Sequence, residues 1–144
     1  MLRAALVENS VPAVNTNIFL AVDYPLEYLL GLVNSRLATY IVTKILNTSI
    51  GGLSAHPTPE DIRLIPFAGP NASQLASVED AVRSILQAKA GDPQADYPEA
   101  QESIDRTICE VYALSGGAIA AINAYWEEIQ AEQVATDGDE EDDT

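Results

Sequence analysis

The residue types that usually carry out chemistry in proteins are few in this chain and lie far apart. It has one cysteine, Cys109, and one histidine, His56, among 144 residues. Neither an internal disulfide nor a zinc site with several thiolates or imidazoles can therefore form. The adjacent acidic pairs at 60–61 and 79–80 are explained by the start of a turn or helix, where the helix dipole favours negative charge. We expect no catalytic site and no metal site.

The short motifs that bind nucleotides, metals or acyl substrates are also missing. The sequence contains no GxGxxG, P-loop, HExxH or GxSxG motif. It also lacks an Asn-Pro-Pro-aromatic quartet, which grips an amino group for methyl transfer. Cys109 lies at the edge of an apolar helical stripe, which is typical of a small buried side chain rather than a nucleophile. His56 precedes a proline, where it is either a surface residue or a polar contact to a partner.

The charge of the chain is large and negative, but it is unevenly distributed. The net charge of −15 disfavours a nucleic-acid surface, because phosphates are bound by Lys and Arg. Residues 1–70, however, hold four bases against five acids, whereas residues 127–144 hold nine acids and no base. The scarcity of lysine is typical of a salt-adapted, halophilic cytosol, or else of an ordinary protein with one acidic tail.

The apolar pattern predicts a small sheet and one long helix in the first half of the chain. The run 17–22 and a shorter one near 11–14 favour strands, and 61–67 predicts a short strand or an extended segment that ends at Pro66. Apolar residues recur at helical spacing over 25–46, which predicts the longest helix. The residues at 47–60 contain Gly-Gly and two prolines, which predicts a loop.

The second half of the chain predicts helices. Amphipathic stripes cover 73–90, begin again at Pro98, and begin once more after Ser115, which suits an N-cap. No apolar run reaches the length of a membrane span and no signal peptide is visible, so we expect a cytoplasmic protein with no membrane contact. The predicted fold class is α+β and helix-rich. A small mixed sheet packs on one long helix, three amphipathic helices follow, and the acidic tail is disordered.

Two stretches of the sequence together resemble a known family of DNA-modifying enzymes. The first is YLLGLVNSRLATY at 28–40, followed by a glycine-bearing loop and IRLIP at 62–66. The second is ESIDRTICEVYAL at 102–114, followed by a new helix start. In this order, over roughly residues 11–125, they resemble the C-terminal region of large adenine-specific DNA methyltransferases, including restriction–modification fusions with a TaqI-type specificity domain. The family has YGL where this chain has YAL.

The resemblance implies three regions and a function. Residues 1–70 would be a partial target-recognition region, 71–132 a C-terminal helical region, and 133–144 a disordered acidic tail. The whole enzyme would be a site-specific N6-adenine DNA methyltransferase of a restriction–modification or phage-defence system. Its catalytic domain, upstream in the family, binds S-adenosylmethionine, so we expect this chain to be a truncated, split or mis-started product without a cofactor of its own. The expected partners are double-stranded DNA and the separate catalytic fragment.

Sequence-specific recognition needs side chains that reach phosphates and base edges. The candidates for DNA contact lie around the 47–60 loop: Lys44, Asn47, Thr48, Ser49, His56 and Arg63. The residues that carry the two motifs are expected to have structural roles: Asn34, Ser35, Asp105 and Tyr112. Asn34 and Ser35 are poor helix formers within the predicted helix, so they either bond a neighbouring loop or line a helix–helix contact.

Two other functions stay open on the sequence. Type I restriction specificity subunits share the first stretch, so the chain could be a fragment of one, although those proteins normally continue into a long coiled coil. An acidic helical module that binds protein, and no DNA, also fits the charge. A fold of helices alone, with no sheet beside the 25–46 helix, would count against DNA binding.

Overall fold

A computed structural model describes residues 24–46 and 63–138, with side chains described as far as residue 132. Within these ranges the chain forms five helices. They are α1 (Leu26–Val33), α2 (Arg36–Tyr40, continued by a π-helical turn at Ile41–Leu46), α3 (Ala72–Gly91), α4 (Pro98–Val111) and α5 (Gly116–Gly138). The predicted strands at 11–14 and 17–22 and the predicted loop at 47–60 lie outside the described residues.

The predicted α+β fold with a small mixed sheet is wrong for the described residues, which contain no strand. Of the short strand or extended segment predicted at 61–67, the described residues 63–67 form no strand: residue 63 is helical, residues 64 and 65 form a turn, and the backbone that follows is irregular. Pro66 has no N–H to donate to a ladder. Its carbonyl accepts a hydrogen bond from the Tyr112 hydroxyl, and the Ala68 carbonyl accepts one from the Tyr28 hydroxyl at 3.2 Å. Side-chain hydroxyls therefore satisfy this backbone in place of a neighbouring strand.

The single long helix predicted over 25–46 is also wrong, because it breaks at Asn34 and Ser35. The two parts meet at an angle of 52°. The Ser35 hydroxyl donates to the Leu32 carbonyl at 2.7 Å and accepts the Ala38 N–H at 3.1 Å, so it ends one helix and caps the next. The Asn34 amide donates to the Leu30 carbonyl at 2.8 Å. Asn34 and Ser35 thus break the helix. The sequence had predicted that they bond a neighbouring loop or line a helix–helix contact, and neither prediction included a break.

The bend between α1 and α2 affects whether this part of the chain could span a membrane. None of the described helices is, on its own, long and apolar enough to cross a bilayer; α1 and α2 meet that length and composition only as a bent pair.

The three helices predicted after residue 71 are present. The α3 helix begins at Ala72, behind a capping box in which Asn71 and Gln74 exchange side-chain-to-backbone hydrogen bonds. The α5 helix begins after Ser115, whose hydroxyl accepts the Ala118 N–H at 3.3 Å as predicted. The α5 helix then continues to Gly138, so it includes residues 133–138, the first part of the predicted acidic tail.

The core forms where α1 lies against α3 and α4. Its buried members are Tyr28, Leu32, Leu37, Val78, Val82, Ile104, Ile108 and Ile122. A second, smaller cluster joins Val33, Ala38 and Val42, and half-buried Leu46 and Ile65 pack against it. Residues on both sides of the segment 47–62 are therefore held on the same apolar cluster.

The C-terminus of α4 places Ala113, where the family that the sequence resembles has glycine, in a strained backbone conformation. Ala113 has a φ of 49°, the left-handed region that favours glycine. The Leu114 N–H donates to the Cys109 carbonyl at 3.1 Å and the Ala113 N–H donates to the Glu110 carbonyl at 3.0 Å, which is the hydrogen-bond pattern of a Schellman motif. The family's YGL places a glycine at this position.

We expect Ala113→Gly to raise the free energy of unfolding by about 0.5 to 1 kcal/mol, because relief of the left-handed strain exceeds the entropy that glycine adds to the unfolded chain. Urea unfolding followed by circular dichroism measures the change. Ala121→Gly, at an exposed position inside α5, is the matched control and should lower stability by about 1 kcal/mol. If both variants lose stability equally, Ala113 is not strained.

Candidate functional site

The two sequence stretches that carry the resemblance pack against each other. A Cβ built on Gly31, in the first stretch, would lie 2.7 Å from Val78 Cγ1 and 3.5 Å from Ile104 Cγ2, in the second stretch. Only a residue without a side chain allows α1 to approach Val78 on α3 this closely, whereas the distance to Ile104 on α4 is an ordinary van der Waals contact. Gly31 therefore fits the first stretch against α3, with the second stretch in contact beside it.

Asp105 connects the helix break to α4. Its side chain is 5% exposed, and Oδ1 accepts the backbone N–H of Arg36, the first residue of α2, at 2.8 Å. Oδ2 lies 3.2 Å from Arg36 Nε and accepts a hydrogen bond from the Gln101 amide at 3.3 Å. Burial raises the pKa of Asp105, while the N–H and guanidinium of Arg36 oppose that rise. The carboxylate thus complements the positive end of α2 from a separate helix.

Arg36 is the residue that joins three helices at this point. Besides Asp105, its guanidinium binds Glu102 Oε2 at 2.8 Å and donates to Asn123 Oδ1 at 3.1 Å on α5. The guanidinium carbon lies 5.8 Å from the ring centre of Trp126. Arg36 was not predicted from the sequence, although an arginine directly after Asn-Ser in an apolar helix was a usable signal.

Two tyrosines hold the irregular segment 66–68 in place. The hydroxyls of Tyr112 and Tyr28 donate to carbonyls on either side of Phe67, whose ring contacts Tyr28 edge to face with centroids 6.1 Å apart. Tyr112, which the sequence marked only as structural, anchors this segment, and burial raises the pKa of its phenol. Tyr28 was not singled out in the sequence, because its partner lies 40 residues away.

The titration of Tyr28 gives a direct test of this arrangement. Burial, followed by the nearby Tyr112 and Tyr24, raises the pKa of Tyr28 from 10.0 to about 12. Because its folded pKa is higher than its unfolded one, its contribution to stability is fully present below pH 10 and is lost as the pH rises through about 12.

We therefore expect the difference between the tyrosinate absorbance curves of the wild type and Tyr28→Phe to have its midpoint near pH 12. The stability of Tyr28→Phe should also fall less steeply in this alkaline range. Far-UV circular dichroism, recorded in parallel, shows where the chain is still folded. A midpoint near 10 in the folded chain would contradict burial of the phenol.

Two of the six residues predicted to contact DNA lie within the described residues. Lys44, on the π-helical turn, is exposed, and its ammonium lies 4.9 Å from the ring centre of Tyr125. Arg63 is exposed just beyond the other end of the segment 47–62. Leu46 and Ile65 pack on one cluster, so Lys44 and Arg63 lie next to the two ends of the segment 47–62 on the same side of the domain. Asn47, Thr48, Ser49 and His56 lie outside the described residues.

The described residues offer little for catalysis. No group of three or more His, Cys, Asp or Glu side chains among them is placed to hold a metal ion. Cys109 is buried beside a cleft between α4 and α5, and burial raises the pKa of its thiol. A thiol of this kind is a poor nucleophile at neutral pH. What the arrangement can do is hold a helix break and the ends of a connecting segment in fixed positions.

No family model, curated protein or solved structure matches this chain. The protein is therefore described by its own fold and side-chain contacts. Its described residues form a helical domain in which the buried Asp105 and the half-buried Arg36 fix a break between two short helices.

Proposed function

We propose that this chain is a non-catalytic target-recognition and C-terminal part of a site-specific N6-adenine DNA methyltransferase, acting in the cytoplasm. The observation that carries the proposal is the bond between Asp105 and Arg36. It joins the two stretches that resemble the family, 69 residues apart, through the residues that the motifs themselves contain. The glycine that the family has at Ala113 also suits the left-handed backbone found there.

In this proposal the described helices support the DNA-contacting residues and perform no chemistry. An enzyme that modifies an adenine must flip the base out of the duplex, and a separate region selects the sequence. The catalytic part, with its S-adenosylmethionine, belongs to other residues of the enzyme. The DNA contacts fall to Lys44, Asn47, Thr48, Ser49, His56 and Arg63.

The helical architecture restricts which part of the described residues can contact DNA. The described residues contain no sheet beside α1 and α2, and this counts against DNA binding by the described helices. The acidic helices α4 and α5 would repel phosphates. Contact with double-stranded DNA is therefore limited to the end of the domain where Lys44 and Arg63 flank the segment 47–62.

The test is duplex DNA binding across a salt series, with the chain alone and mixed with a catalytic fragment of the same enzyme. We expect Lys44→Gln to reduce the slope of log K against log salt by about 0.9, the value for one lost phosphate contact. Lys89→Gln removes the same charge from the end of α3, where the ammonium binds the Pro93 carbonyl at 2.7 Å, and should leave the slope unchanged.

Two results would contradict the proposal. One is the absence of salt-dependent binding in both the chain and the mixture, which would favour an acidic module that binds protein. The other is an equal loss of slope in the Lys44 and Lys89 variants, which would mean that the contact is non-specific attraction.

A further inference from the structure

The exposed large apolar side chains of the described residues are concentrated at the ends of the two described ranges. They are Leu26, Ile45, Leu64 and Phe67, each between 47% and 57% exposed. The described ranges are 24–46 and 63–138, so each of the four lies within five residues of an end. As far as residue 132, the helices α3, α4 and α5 expose no large apolar side chain. The exposed apolar surface therefore lies where the rest of the chain joins the domain.

Around Tyr24 this surface is aromatic and fixed in position. The ring of Tyr24 contacts that of Phe67 edge to face with centroids 5.0 Å apart, and that of buried Tyr28 at 5.5 Å. Phe67 is nevertheless 54% exposed, and Leu26, in the first turn of α1, is 47% exposed. We call Tyr24, Leu26 and Phe67 the N-terminal apolar patch. Hydroxyls of two tyrosines bind the backbone on both sides of Phe67, so the patch is preformed.

The chain that enters the domain at Tyr24 is the occupant that the patch fits best. Residues 1–23 lie outside the described residues, and their last apolar run, 17–22, reads NIFLAV and carries no charge. From residue 18 the chain can extend about 20 Å to Tyr24, at no more than about 3.6 Å per residue, which is ample for the spacing of the rings. A tethered segment this short also meets the patch at little cost in loop entropy, whereas a separate molecule loses its translational freedom.

We propose that residues 18–22 pack over the N-terminal apolar patch and cover Phe67 and Leu26. The patch is then an internal contact of this chain rather than a docking site for another molecule. Both sides of the contact are apolar, so burial of their surface from water is the driving force. The proposal does not depend on the proposed function.

Double-mutant cycles in the full chain test the contact. Phe19→Ala and Leu20→Ala are each combined with Phe67→Ala, so that two sides of the segment are sampled. We expect at least one pair to be coupled by about three- to tenfold in the equilibrium constant of unfolding, the range for one aromatic or apolar pair. Ile45→Ala is the matched control, because Ile45 is 56% exposed but lies at the opposite end of the α1–α2 pair. Its cycles should be additive.

Two further measurements locate the contact and identify the occupant. Phe19 and Phe67 are the only phenylalanines of the chain, so a ring label in Phe19→Leu reports Phe67 alone. That ring should show nuclear Overhauser effects to side chains at 18–22. Unfolding at two protein concentrations should give the same midpoint, because a contact within one chain does not depend on concentration, whereas a contact between copies does.

The proposal is overturned if both cycles with Phe67→Ala are additive, or if the Phe67 ring shows no contact with residues 18–22. Coupling to Ile45→Ala as large as to Phe67→Ala also overturns it, since the segment would then stabilise the domain without lying on the patch. A midpoint that rises with protein concentration overturns it as well, because the patch would then join two copies of the chain.

Discussion

Replacement of Asp105 by alanine should lower the free energy of unfolding by about 3 to 5 kcal/mol. The change removes the acceptor of the Arg36 N–H and the carboxylate beside its guanidinium, at a side chain that is only 5% exposed. Arg36 would be left as a largely buried charge with one fewer partner, and α2 would lose the group that complements its first turn. Thermal or urea unfolding measures the loss.

The second carboxylate on Arg36 provides a matched control. Glu102 binds the same guanidinium at 2.8 Å, but its side chain is 60% exposed. Water screens a pair of this kind, so Glu102→Ala should cost less than about 1 kcal/mol. Asp105→Asn keeps an acceptor for the Arg36 N–H and removes the charge, so its cost should lie between the other two. A loss for Asp105→Ala no larger than that for Glu102→Ala would show that the buried pair is not a main support of the fold.

The second large effect is expected at Gly31. A methyl group at this position would lie 2.7 Å from Val78 Cγ1 and 3.2 Å from Val82 Cγ2, and both neighbours are buried, β-branched side chains with little freedom to move. We expect Gly31→Ala to lower stability by about 1 to 3 kcal/mol, even though alanine favours a helix more than glycine does. Gly91→Ala, with nothing within 4 Å of its Cβ, should not destabilise the protein.

A double-mutant cycle identifies the cause of the Gly31 effect. Val78→Ala alone leaves a cavity, but in combination with Gly31→Ala the new methyl group occupies the space that the valine vacated. The two changes should therefore cost less together than the sum of their separate costs, by about 0.5 to 3 kcal/mol. Strict additivity would mean that Gly31 matters for a reason other than its approach to Val78.

The elements that were predicted correctly depend on local signals. Pro98 at the start of α4 and Ser115 before α5 act within a single helical turn, so the sequence alone reveals them. Of the two alternatives predicted for 61–67, the strand is wrong for the described residues 63–67, because β-propensity is outweighed by tertiary contacts. Here those contacts are hydroxyls of Tyr28 and Tyr112, 40 and 46 residues from their acceptors.

The candidate site could be predicted only in part, for the same reason. Asn34 and Ser35 were recognised as unusual within a helix and Asp105 as structural, but nothing in the local pattern pairs Asp105 with the helix break. Arg36 was missed because its partners on α4 and α5 lie 66 to 87 residues away. Pairings at such separations are set by the packing of α1 on α3 and α4. The apolar periodicity within one segment does not reveal which other helix that segment packs against.

The distance along the chain between Arg36 and Asp105 has a consequence for synthesis. A ribosome adds the 69 residues from Leu37 to Asp105 in roughly 3 to 14 s. During that interval the α1–α2 stretch has no carboxylate to fix its bend and no α4 to cover its leucines. The kinked arrangement therefore becomes stable only after α4 has left the exit tunnel, and the N-terminal helices cannot complete their fold before the second motif has been translated.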